Sequence, residues 1–214
     1  MPRRTDLAAV EAVLLDMDGT LVDSDAAIER AWSIWAGEYG VDPGAVLAVA
    51  HGSPAARTVR RLLPGLDDEA VTAAARRQHA LQYEDLAEVT AAPGARLLLA
   101  TLDRLRLPWA VVTSADGRLA RARLHAAGID PPVLLTIDDV RAGKPDPEGY
   151  LEAARRLRVA PPACLVVEDS EPGLAAGRAA GMPTAALRGL DGDLALPGLD
   201  RLAHLLERSR VRPW

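Results

Sequence analysis

Short, nearly unbroken apolar runs recur along the chain, each too brief for a helix and each ending in polar residues. Val10 to Leu15, Pro108 to Thr113, Pro132 to Thr136 and Ala163 to Glu168 read as strands buried on both faces, because a half-solvated strand would alternate. Thr184 to Leu187 is a fifth, shorter run of this kind. Helical patterns separate them. Pro93-Gly94 opens a leucine-rich stretch to about Leu105, and Asp116 to Ala127 stops at Gly128, a natural C-cap. Asp146 can cap a helix with Pro147 in its first turn, running to about Arg158. Glu171-Pro172-Gly173 opens another, stopped by Gly181 and Pro183, and a last helix spans about Asp200 to Arg208. Strands alternating with helices of this length predict a parallel sheet.

The rhythm breaks between Asp23 and Thr90. That stretch carries only helix-like patterns, at about 24–40, 44–50, 54–63 and 67–89, punctuated by Pro43-Gly44, Gly52-Ser53-Pro54 and Pro64-Gly65. The expected organisation is a core of residues 1–22 and 91–214, with 23–90 as an all-helical insert leaving after the first strand. In the insert, Trp32, Trp35 and Tyr39 lie at helical spacing and are expected to pack its interior.

Composition narrows the picture by exclusion. No apolar run reaches the roughly 18 to 20 residues of a membrane span, so no membrane partner is expected. The segment Met1 to Asp6 has no signal-peptide pattern and Cys164 has no cysteine partner, which fits a cytoplasmic protein. The net charge is −5 with no basic block, so a nucleic-acid partner is not expected either. Of 25 basic residues besides histidine, 24 are arginine; Lys144 is the single lysine. In a chain so biased, a surviving lysine points to a place that needs a compact ammonium rather than a planar fork.

Ligands of open parallel sheets gather at the carboxyl ends of the strands, so the residues just past each run are informative. Asp16, Asp18, Gly19 and Thr20 come after the first, and Thr113, Ser114 and Ala115 after the second. The loop after the third run passes Asp138-Asp139 and reaches Lys144; the fourth ends in Glu168-Asp169. Asp16 and Asp18, two apart on extended chain, face the same way. Carboxylates so gathered repel unless a cation neutralises them, and all-oxygen ligands favour a hard ion, magnesium first. Hydroxyls, backbone amides and one ammonium then leave binding capacity that suits a phosphoryl group.

The run Asp16-Met17-Asp18-Gly19-Thr20-Leu21-Val22-Asp23-Ser24 resembles the first motif of the haloacid dehalogenase superfamily in its phosphatase form. Thr113-Ser114 resembles the second motif, Gly143-Lys144-Pro145-Asp146-Pro147 the third, and Val166 to Ser170 with Gly173, Ala176, Gly177 and Gly181 the fourth. The resemblance implies an α/β fold with a Rossmann-like core and a helical cap that sets substrate choice. It implies Asp16 as the nucleophile and Asp18 as the acid and base, which also lends its backbone carbonyl to the metal. Thr113 and Lys144 would hold the phosphoryl oxygens, with Gly19, Thr20, Ser114 and Ala115 lining the phosphate. Asp169, supported by Glu168, would complete a magnesium site with Asp16 and Asp18.

Within that superfamily, Asp18 argues against dehalogenation, and the absence of lysine from 23–90 argues against phosphonate cleavage. Where mutases similar to β-phosphoglucomutase carry a histidine at the entry to the cap, this chain has Ile28. His51-Gly52-Ser53-Pro54 resembles a cap loop of sugar- and polyol-phosphate phosphatases, glycerol-phosphate phosphatases among them, with Ser53 where those carry Arg or Lys. The expectation is a monomeric magnesium-dependent phosphatase acting on a small phosphate monoester, with His51 and Gly52 contacting the substrate. A phosphoglycolate-type phosphatase, a β-phosphoglucomutase-like mutase and an inactive binding protein of the same fold are the alternatives. A signalling receiver domain is disfavoured by the helical insert and by the order Asp16-x-Asp18.

Overall fold

The computed structural model describes residues 5–50, 53–84 and 86–210. They fall into two compact units, Ser24–Val89 and the flanking segments Met1–Asp23 and Thr90–Trp214. The chain runs through β1 (Ala12–Leu15) and β2 (Val22–Asp23) into four helices, α1 (Asp25–Tyr39), α2 (Pro43–Ala50), α3 (Ala55–Leu62) and α4 (Asp68–Leu81). The return starts with β3 (Thr90–Ala91), α5 (Ala95–Leu105), β4 (Trp109–Val112), α6 (Gly117–Ala127), β5 (Leu134–Leu135) and α7 (Glu148–Leu157). It ends with β6 (Cys164–Glu168), α8 (Glu171–Ala179), β7 (Thr184–Ala186), β8 (Leu194–Ala195) and α9 (Leu199–Arg210).

Six strands form a parallel sheet in the order β5-β4-β1-β6-β7-β8. Every residue of β1, β4 and β6 is buried, which is why their sequences read as apolar runs rather than alternations. Alternate residues show the two faces: Ala12, Leu14, Ala110, Val112, Cys164 and Val166 pack in one cluster with Tyr150, Ala153 and Ala154 of α7 and Ala176 of α8. The chain leaves β1 for β4 and β5 on one side and later returns to β6 on the other, so the order reverses at β1. The crevice at such a switch point is where a doubly wound sheet binds ligands.

Helix ends obey local chemistry. Asp116 caps α6, its Oδ1 accepting from the amides of Arg118 and Leu119, and Gly128 closes it in the left-handed region at φ 66°. The helix expected from Asp146 starts two residues later, and Asp146 Oδ1 accepts from the Glu148 amide at 2.9 Å.

In the unit Ser24–Val89, a cluster of apolar side chains from all four helices includes Trp32, Trp35, Val46, Val59, Val71 and Ala74. Trp35 stacks on Tyr39 at 4.6 Å, meets Trp32 edge-on at 5.3 Å, and donates from Nε1 to the Ala74 carbonyl at 2.9 Å. The helix expected over 67–89 stops at Leu81. The amides of Gln82, Tyr83 and Glu84 bond three residues back, which tightens the last turn, and the chain is extended again by β3. β2, β3 and β8 were not expected from the sequence. Each is two residues long, too short for any periodicity to register. Among the described residues, no helix is long and apolar enough to cross a membrane.

Candidate active site

The carboxyl ends of β1, β4 and β6 bring Asp16, Thr113, Glu168 and Asp169 to one edge of the sheet, and the loop after β5 delivers Lys144 to the same place. Lys144 Nζ donates to Asp16 Oδ1 at 2.5 Å, to Glu168 Oε1 at 2.5 Å and to the Val112 carbonyl at 2.8 Å. These three bonds use the whole donor capacity of an ammonium. The side chains are nearly sealed from water, with exposures of 8% for Lys144, 11% for Asp16 and none for Glu168.

Glu168 is held from several directions. Tyr150 donates its hydroxyl to Oε1 at 2.6 Å, and Ser170 donates Oγ–H to Oε2 at 2.9 Å. Gly173, in the first turn of α8, passes so close that a Cβ there would lie 1.8 Å from Glu168 Oε1. Gly19 is constrained twice: its φ is +80°, and a Cβ would lie 2.0 Å from Asp169 Oδ2. Its amide donates to the Val22 carbonyl at 2.8 Å, which closes the loop after β1.

Burial raises the Asp16 pKa well above the usual carboxylate range, and the charges of Glu168 and Asp169 push the same way, while Lys144 opposes them. Burial pulls the Lys144 ammonium down, but Asp16 and Glu168 outweigh it and raise its pKa above the ordinary lysine value. Tyr150 is raised by burial and by the neighbouring charges of Glu168 and Asp16, so its phenol stays a donor. Carboxylate oxygens of Asp16, Glu168 and Asp169 lie within 4.8 Å of one another. The part-exposed Arg188 lies with Nε 3.0 Å from Asp169 Oδ2. An all-oxygen, electron-rich donor set of this kind fits a hard divalent cation.

The remaining residues expected at the site divide. Thr113 is buried at the end of β4 and its Oγ1 accepts from the Ala115 amide at 3.1 Å. Ser114 is exposed, and Ala115 and Gly19 are half-buried. Thr20 is 1% exposed, its hydroxyl without a hydrogen-bond partner among the described residues. The Asp18 carboxyl stands apart from the three-carboxylate cluster and accepts at Oδ2 from Arg123 Nη1 at 2.8 Å. His51 and Gly52 lie outside the described residues. Asp138 and Asp139 are structural: Asp138 accepts from the Gly117 amide, and Asp139 accepts from Thr136 and pairs with Arg156.

Sequence reasoning missed Tyr150, Arg123 and Arg188. A signal existed for two of them. Arg123 falls on the apolar stripe Leu119, Ala120, Leu124 and Ala127 of α6, where a charge is anomalous. Arg188 lies just past β7, and extending the survey of strand ends to the run Thr184 to Leu187 would have reached it. Tyr150 lies on the same face of α7 as Ala153 and Ala154, where an aromatic ring reads simply as core.

Comparison with known proteins agrees with this geometry. The chain is 40% identical over 199 residues to hexitol phosphatase A of Escherichia coli K12, covering 92% of each. It is 35% identical over 195 residues to 2-deoxyglucose-6-phosphate phosphatase 1 of Saccharomyces cerevisiae, covering 82% of this chain and 79% of that one. The crystal structure of a hydrolase from Pseudomonas syringae superposes with a TM-score of 0.77 at 27% identity, over 92% of this chain and 98% of that one. The model of the haloacid dehalogenase-like hydrolases matches residues 10–181. This chain belongs to the haloacid dehalogenase-like hydrolase family.

Proposed function

We propose that the protein is a magnesium-dependent phosphatase that hydrolyses the phosphate monoester of a small sugar or sugar alcohol through an aspartyl phosphate on Asp16. The observation that carries this reading is the sealed Asp16–Lys144–Glu168 arrangement beside Asp169, in a chain 40% identical to a hexitol phosphatase. Unaided monoester hydrolysis is among the slowest of biological reactions, and a covalent intermediate divides it into two easier displacements.

In the first displacement a carboxylate oxygen of Asp16 bonds to phosphorus, the ester P–O bond breaks, and the departing alkoxide takes a proton from Asp18. In the second, water attacks the same phosphorus and gives its proton to the Asp18 carboxylate, which releases inorganic phosphate and restores Asp16. Lys144 holds the Asp16 carboxylate in its attacking direction, and Tyr150 and Ser170 hold Glu168 as the counter-ion of Lys144. Thr113 is assigned to the phosphoryl oxygens, with Gly19, Thr20, Ser114 and Ala115 lining the phosphate. Asp16 and Asp169 would ligate the metal with the Asp18 carbonyl, backed by Glu168. Magnesium bound there supplies positive charge against the phosphoryl oxygens. The helical unit is assigned the choice of ester.

The test is phosphate release from a panel of hexitol, hexose, 2-deoxyhexose, glycerol and glycolate phosphates, with magnesium and with EDTA. Metal-dependent release concentrated on sugar or polyol esters, abolished by Asp16→Asn, is the expected result. Magnesium should also raise the melting temperature of the parent protein and not of Asp169→Asn. A folded protein that releases phosphate from none of these esters removes the reading.

A further inference from the structure

A buried arginine on the apolar stripe of α6 is the least expected charge in the molecule. The side chain of Arg123 is 2% exposed, on the face formed by Leu119, Ala120, Leu124 and Ala127. Leucine or methionine would fill that position without the desolvation that a guanidinium carries. The guanidinium bonds to Asp18: Nη1 donates to Oδ2 at 2.8 Å, and the Asp18 side chain is 22% exposed.

The surroundings fix both ends of this bond. The loop bearing Asp18 is pinned to β2, through a bridge between Asp18 and Val22 and the bond from the Gly19 amide to the Val22 carbonyl. α6 packs against β2 and β3, and its first turn is anchored by Asp116 and by Asp138, which accepts from the Gly117 amide at 2.8 Å. Backbone geometry therefore sets where Asp18 stands, and Arg123 sets where its carboxyl points. A planar, permanently charged fork holds a carboxylate oxygen with more directional precision than an ammonium does.

We infer that Arg123 is a positioning residue for the reaction: it orients the Asp18 carboxyl and neutralises the charge that forms there when Asp18 gives its proton to the departing oxygen. The inference rests on the proposed role of Asp18 as acid and base. A merely structural arginine, one that ties α6 to the β2–β3 ribbon, would affect all substrates alike. In the first displacement a positioning residue would matter in proportion to how much the leaving group needs a proton, whereas the second, in which Asp18 serves as base, is common to all esters. Sugar and polyol alkoxides need one; p-nitrophenolate leaves without it.

The experiment compares hexitol phosphate with p-nitrophenyl phosphate on the magnesium-loaded parent, Arg123→Leu, Arg123→Lys and Asp18→Asn, with folding followed by circular dichroism. We expect kcat/KM for the hexitol ester, which reports the first displacement, to fall about 10²-fold in Arg123→Leu. For the aryl ester kcat/KM should fall less than about tenfold. Arg123→Lys should recover part of the loss in kcat/KM on the hexitol ester alone, and it carries the test if the leucine variant does not fold. Equal losses of kcat/KM on both esters, or parental kcat/KM in a folded Arg123 variant, overturn the inference while leaving the phosphatase reading in place. Parental turnover of the hexitol ester by Asp18→Asn would instead remove the role of Asp18, and the inference with it.

Discussion

In each of the two units a cation lies between two carboxylates. In the unit built on the sheet, Lys144 lies 2.5 Å from both Asp16 and Glu168. In the helical unit, Arg77 lies 2.6 Å from Glu38 and 3.0 Å from Glu84. The two trios are alike in charge and geometry and opposite in solvation. Side-chain exposures are 8%, 11% and none in the first, and 38%, 36% and 55% in the second. Removing ions from water costs several kcal/mol each, and attraction repays this only when further hydrogen bonds complete the shell. Tyr150, Ser170 and the Val112 carbonyl are that completion. Solvated pairs cost little and contribute little. The helical unit draws its stability from the Trp35 cluster, whereas the sheet unit adds a buried ionic cluster to its apolar core.

Replacing the central cation in each trio tests this contrast most severely. Lys144→Met leaves Glu168, which has no exposure, without its counter-ion, and should destabilise the protein by about 3–5 kcal/mol in urea unfolding. It should also abolish turnover. Arg77→Met should leave the unfolding midpoint where it was. Equal destabilisation by the two would show that burial is not what separates them.

The same contrast explains what could be read in advance. Lys144 was conspicuous as the single lysine in the chain, and it meets Asp16 and Glu168, which stand at two of the polar strand ends. Arg123 was hidden among 24 arginines, although its place on an apolar stripe marked it. Strands β1, β4 and β6 were legible because burial on both faces makes their runs continuous. The end of α4 was not, because residues 82–89 are mostly fair helix formers and no Gly or Pro among them marks a stop. Tyr150 was unreadable because one hydroxyl, set in an otherwise apolar face, decides its role.

A milder pair of substitutions removes one hydrogen bond from each interior. Tyr150→Phe deletes the donor to a charged acceptor and should cost about 1.5–3 kcal/mol. Turnover should fall with it, because Glu168 then holds Lys144 less firmly. Trp35→Phe removes the second donor to the Ala74 carbonyl, which keeps its bond within α4, and should cost about 0.5–1.5 kcal/mol by the same unfolding measurement. If Trp35→Phe proved costlier than Lys144→Met, the helical unit would be the more finely adjusted of the two.

The smallest effect belongs to the surface of α7. Hydrogen bonds from Arg155 and then Arg156 pull the Glu152 pKa from its ordinary 4.5 down to about 2. A carboxyl depressed in the folded state contributes stability at pH above its unfolded value and loses it as pH falls through the folded value. Between about pH 4.5 and pH 2, therefore, the unfolded chain takes up a proton at Glu152 that the folded chain refuses, and acid should erode stability across that window. Glu152→Gln should leave turnover and neutral stability unchanged, and should flatten the acid slope of the urea midpoint measured from about pH 5 to pH 3. An unchanged slope would mean that solvent screening cancels the pairs with Arg155 and Arg156, and that on this surface the geometry of an ion pair carries no energetic information at all.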